Sequence, residues 1–148
     1  MAGCGGDSDE TAPETTQPLG TPVTGTLDGG FAETLTTEVS IRCESAGSEL
    51  TTPLANGIEP EGLRLIDAYV VKSGDHDSIY FVSAEIDGVG YENEGDIATW
   101  ASTSRYGGEL IYAVDELANE LSTLRDGKQV AGLSVNDDGV AVSRDCAA

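Results

Sequence analysis

Positive charge is scarce in this sequence. Seven Lys and Arg stand against 27 Asp and Glu over 148 residues, a formal net charge of −20. Such a surface repels phosphate backbones and anionic headgroups, which excludes nucleic acid as a partner. Solubility alone explains the acidity, and a cation or a basic partner is the sharper alternative. Long apolar runs are missing too. No stretch nears the roughly 18 residues needed to cross a bilayer, and no charged n-region followed by an apolar segment opens the chain, so the polypeptide itself is not expected to span a membrane.

Catalytic groups are equally sparse. His76 is the only imidazole, so a Ser-His-Asp or Cys-His system has one place to form. It lies in Asp75-His76-Asp77, where flanking carboxylates stabilise the imidazolium and make a poor neutral base, so an ordinary turn residue is expected. Gly88-Val89-Gly90 lacks the remaining glycine and helix start of a dinucleotide fingerprint, and no Walker-type lysine occurs. Carboxylate pairs are cheap among so many acids and give no sign of a shielded acid. No catalytic, cofactor-binding or metal-ligating residue is assigned. Ser134, Asn136, Asp138, Gly139 and Asp145 do fall at places one, three, five, six and twelve of an EF-hand-like frame. Ser at the first place and Asp at the twelfth depart from it, and a solvated Asn-Asp-Asp-Gly turn is the plainer reading. The acid-rich loop from Asp87 to Asp96 is a second carboxylate cluster or a solvated hairpin tip.

Three cysteines are present, at 4, 43 and 146. The first stands in Ala2-Gly3-Cys4, followed by Gly5-Gly6-Asp7-Ser8-Asp9-Glu10-Thr11-Ala12-Pro13-Glu14, a stretch without large apolar residues that reads as a disordered acidic spacer. This start resembles the mature end of bacterial lipoproteins, whose lipobox closes on Leu-Ala-Gly-Cys and whose cysteine receives a diacylglycerol. Met1 occupies the place of the Leu and of the hydrophobic signal, which reads as a chain with its signal peptide removed; in that form it would carry no lipid. The resemblance implies lipidation at Cys4 and a cell-envelope, extracytoplasmic location with the membrane as partner. Spending Cys4 on lipid leaves Cys43 and Cys146, a pair expected to oxidise outside the cytoplasm and to tie the start of the domain to its C-terminal end. Two free thiols, or a metal site without CxxC spacing and with one histidine in the chain, are the alternatives.

Residues 1–30 are read as tether, and residues 31–148 as one α+β domain, best defined over 60–146. Phe31 to Ile41 suits helix or strand: Phe31, Leu35 and Val39 recur every four residues, whereas Glu38 to Arg42 alternates. Ser48 to Ile58 reads as a short helix interrupted by Pro53 and stopped by Asn56-Gly57. Strands are expected at Leu63–Lys72, Ser78–Asp87, Asp96–Ser102, with Trp100 as anchor, and Glu109–Val114, opened by Gly107-Gly108. In the second, Tyr80, Val82, Ala84 and Ile86 form an apolar face opposite Ser83 and Glu85, the pattern of a half-buried strand. Asp115 then caps an amphipathic helix carrying Leu117, Leu121 and Leu124 and ended by Asp126-Gly127. An apolar run at Val130–Val135 and a terminal helical turn before Cys146 follow. The expectation is a small antiparallel sheet of about four strands packed against one main helix in two layers, behind a disordered tail. Tyr69, Tyr80, Phe81, Trp100, Tyr106 and Tyr112 fall in or beside the strands, as core more than as a ligand platform.

The runs Ile79 to Gly88 and Asp96 to Ala101, with Ser143-Arg144-Asp145-Cys146, resemble small lipoproteins of high-GC Gram-positive bacteria over about residues 60 to 146. The resemblance implies envelope location and a single domain but no activity. Haloarchaeal lipoproteins are similar in acidity and tail, and Lys72 and Lys128 are the only lysines. The function expected is a lipid-anchored, non-enzymatic binding or protein-interaction module for an envelope protein or small ligand, without cofactor. The alternative is a small extracytoplasmic enzyme or enzyme inhibitor using surface carboxylates near Tyr91 to Asp96.

Overall fold

The computed structural model describes residues 42–59, 61–91, 95–108 and 110–148. Cys4, the tether and the segment from Phe31 to Ile41 lie outside the described residues. The elements run β1 (Glu44–Ser45), α1 (Ser48–Gly57), β2 (Arg64–Lys72), β3 (Tyr80–Asp87), β4 (Ile97–Ser102), β5 (Ile111–Ala113), α2 (Glu116–Leu121), β6 (Arg125–Asp126), α3 (Gly127–Ala131) and α4 (Val140–Ala147). The strands form one sheet in chain order, antiparallel from β1 to β5, with β6 added parallel beside β5. The α+β class is as expected, but among the described residues the sheet has six strands and four helices pack around it.

Each of the four expected strands forms, and the β3–β4 ladder runs from Tyr80↔Ser102 to Glu85↔Ile97. The half-buried reading of β3 needs correction. Its Tyr80, Val82, Ala84 and Ile86 face does pack on Leu50 and Leu54 of α1, Ala118 and Leu121 of α2, and Trp100. The opposite face is also covered: Phe81 joins Ala101, Val114, Leu133 and Val140 in a second cluster, and Ser83 is fully buried. The cover on that face is α4, which packs across β2, β3 and β4. Helices therefore lie on both faces of the sheet, in three layers where two were expected. All six residues of β4 are buried, as suits a central strand sandwiched on both sides.

Local chemistry explains the departures from the expected boundaries. Asp115 caps α2 as its sequence indicated, its Oδ1 accepting from the Ala118 N–H at 2.8 Å. The helix stops at Leu121, short of Leu124, because Ser122 turns extended and its hydroxyl donates to the Ala118 carbonyl at 2.6 Å. The chain leaving α1 then takes the freed backbone: Glu59 N–H donates to Leu121 O and Thr123 N–H to Gly57 O, both at 3.0 Å. Within α1, Pro53 offers no N–H to the Glu49 carbonyl. Gly107, at φ 87°, packs against that carbonyl so closely that a Cβ would lie 2.2 Å from its oxygen. Of the run from Val130 to Val135, Leu133 is buried while Val130 and Val135 are about half exposed. The terminal turn is a full two-turn helix, and Cys146 within it bonds Cys43 across 103 residues, with a Cα–Cα distance of 5.9 Å.

Candidate functional site

Three buried hydroxyls form a chain through the sheet–α4 interface. Ser83 Oγ lies 2.9 Å from Thr99 Oγ1 and 2.8 Å from Ser143 Oγ, and all three residues are fully buried. Ser143 also donates to the Val140 carbonyl at 2.9 Å. Arg144 extends the chain, donating from Nη1 to Asp115 Oδ2 at 2.6 Å and, at 3.5 Å, to Thr99 Oγ1. Burial pushes the Asp115 carboxyl above its usual range, against the pull of the Ala118 N–H and the Arg144 guanidinium. Every hydroxyl in this seam is partnered, and the seam joins α4 to the sheet.

His76 is a turn residue, as expected, and its role is to join two turns. Its Nε2 lies 3.0 Å from Asp137 Oδ2, while Asp75 accepts from the Asp138 N–H at 2.6 Å. Asp138 is held in turn by Arg42, which donates to both carboxylate oxygens at 3.1 and 2.7 Å. That fork holds the Asp138 carboxyl below its usual range. Both carboxylate oxygens at the fifth place of the EF-hand-like frame are thus engaged within the protein, and the Ser134 hydroxyl at its first place accepts from the Asn136 N–H at 3.1 Å. Among the described residues no three His, Cys, Asp or Glu side chains converge as metal ligands.

An open concavity lies on the α4 side of the sheet. It encloses about 600 Å³ and is lined by Asp67, Tyr69, Glu85, Gly95 and the stretch from Cys146 to Ala148. Register explains the lining. Ile66 pairs with Glu85 and Tyr69 with Ser83, so β2 carries one residue more than β3 between these pairs, a β-bulge. Asp67 sits in the bulge with φ 46°, and it is the only non-glycine residue at positive φ among the described residues. Such a conformation costs roughly 1 to 3 kcal/mol. Glycine would avoid that strain but would not bring a carboxylate to the rim. Neither Asp67 nor Glu85 has an ion-pair partner among the described residues. The C-terminal turn of α4 adds the negative end of a helix dipole, and Tyr69 adds an aromatic ring. The potential in this cavity favours a cationic group.

Sequence reasoning singled out Cys43 and Cys146, and the structure brings them together beside this cavity. It also pointed to the loop from Tyr91 to Asp96, of which Gly95 lines the cavity while residues 92–94 lie outside the described residues. Tyr91 packs instead against the core on the opposite face. Asp67 was missed. The signal available was an acid inside the β-rich run Leu65-Ile66-Asp67-Ala68-Tyr69-Val70-Val71, at the point where the alternation breaks. Comparison with protein-family models, with curated proteins and with solved structures finds no match.

Proposed function

We propose that this chain is an extracytoplasmic binding module, tethered to the membrane through lipid on Cys4 and devoted to capture instead of catalysis. The observation that carries the reading is the Cys43–Cys146 bridge. Such a bond persists in oxidising compartments and leaves Cys4 as the one cysteine available for an anchor. The acidic stretch between Cys4 and the domain gives the tether its reach. The binding role rests on the open cavity under α4, where two carboxylates without ion-pair partners among the described residues and one tyrosine ring face solvent. Its ligand carries positive charge, either as a small amine or as a basic segment of an envelope protein, and the net charge of −20 steers such partners toward it. Hydroxyls and the histidine are committed to the architecture, which supports binding over chemistry.

Calorimetric titration of the protein with spermidine and with a trilysine peptide tests the binding half. Saturable heat that falls in Asp67→Asn and Glu85→Gln supports it. Heat that is absent, or unchanged in both variants, contradicts it.

A further inference from the structure

The opposite face of the sheet carries a concentration of positive charge that the acidic composition makes conspicuous. Of seven Lys and Arg in the chain, three line one cleft of about 150 Å³: Arg42, Lys72 and Arg105, together with Glu44, Val70 and Tyr80. Topology gathers them from three places. Lys72 and Tyr80 are directly paired across β2 and β3, Glu44 of β1 pairs with Val70, and Arg105 reaches in from the loop between β4 and β5. We propose that this cleft is an oxyanion site, taking a phosphate or carboxylate group of a small soluble molecule.

Charge and donor geometry carry the argument. Arg42 spends its fork on Asp138 and donates from Nη2 to the Lys72 carbonyl at 3.0 Å, which fixes the guanidinium at the cleft wall. Arg105 is paired with Glu44 and stacks over the Tyr106 ring at 4.8 Å, so it too is held in place. The Lys72 ammonium has no ion pair among the described residues. Counting both carboxylates against the three cations leaves the cleft positive, in a protein whose overall field is strongly negative. Glu44 occupies Arg105, so an incoming oxyanion meets the Lys72 ammonium first and reaches the Arg105 donors by displacing Glu44. Tyr80 adds a phenol whose hydroxyl has no hydrogen-bond partner among the described residues. A flat anionic bilayer is a poor occupant, because the rest of the surface repels it and the cleft admits one small group at a time.

Titration of the isotopically labelled protein with inorganic phosphate and with acetate, at constant ionic strength and followed by amide NMR shifts, tests the site. Saturable shifts confined to Glu44, Val70, Lys72, Tyr80 and Arg105 are expected. Lys72→Glu, a solvent-exposed change that leaves the rest of the spectrum in place, weakens phosphate binding about tenfold or more. Lys128→Glu, with the same change in net charge on α3, leaves it within about twofold. Glu44→Gln frees Arg105 and tightens binding. Shifts that do not saturate, equal losses in the two lysine variants, or unchanged or weaker binding in Glu44→Gln would overturn the assignment. So would Lys72-dependent binding to phosphatidylglycerol vesicles without any response to free phosphate.

Discussion

Replacing both Cys43 and Cys146 with serine removes a cross-link spanning 103 residues. In the chain-entropy picture, closing a loop of about that length removes enough freedom from the unfolded ensemble to stabilise the fold by about 4.7 kcal/mol. Little is lost on the folded side. The Cα–Cα distance of 5.9 Å is ordinary for a bridge, and α4 keeps its contacts through Val140, Ser143 and Ala147. Against a total stability of about 5 to 15 kcal/mol, the double serine variant forfeits between about 30% and nearly all of it, and its melting temperature falls by on the order of 20 °C. Trp100 provides the assay. It is the only tryptophan and fully buried, so its emission reports urea unfolding of the β4 region directly. Oxidised protein and double variant are compared, with reduced wild type as a control that should match the variant. A loss below about 1 kcal/mol would refute the reasoning, because the long loop would then be constrained in the unfolded state by something other than the bridge.

Three further outcomes are expected. Asp67→Gly is neutral or stabilises by up to about 1 kcal/mol, whereas Asp67→Val destabilises by about 1 to 2 kcal/mol, since a β-branched residue tolerates the φ of 46° least; urea midpoints in the reverse order would remove the argument from strain. Ser83→Ala and Ser143→Ala each cost about 1 to 3 kcal/mol by leaving a buried hydroxyl partner behind, and the double variant costs less than their sum. Strict additivity would mean the pair is not coupled. Stability against pH separates the two perturbed acids. Asp138, shifted below 3.8, contributes stability that is present above that value and lost as pH falls through its folded pKa, so Asp138→Asn flattens the acid limb. Asp115, shifted above 3.8, contributes stability present below that value and lost as pH rises through its folded pKa, so Asp115→Asn removes that decline. Chemical denaturation at stepped pH reads both, and a variant whose profile parallels the wild type would contradict its assignment.

How much of this was legible in the sequence differs by element. β2, β3 and β4 were, because period-two alternation and β-branched residues bound them closely. The Asp115 cap was legible for the same kind of reason, as the carboxylate and the backbone N–H it accepts from lie three residues apart. β1 and β6 were not: each is two residues long and exists through its neighbour's hydrogen bonds. α4 was underestimated because its buried face is Val140, Ser143 and Ala147, in which serine breaks the apolar pattern. That serine is satisfied by Ser83, and the same pairing hid the second covered face of β3. The cavity escaped for a related reason. It depends on a one-residue bulge that moves Asp67, which leaves no periodic trace. The disulfide came from counting, since one cysteine assigned to an anchor leaves two.

The proposal that organises all of this is a module held outside the cytoplasm by its first cysteine. Intact and peptide mass spectrometry of the protein recovered from its native membranes tests it most directly. The expected material carries a diacylglycerol mass on Cys4 and an oxidised Cys43–Cys146 pair. A free, unmodified Cys4 thiol together with reduced Cys43 and Cys146 would contradict it.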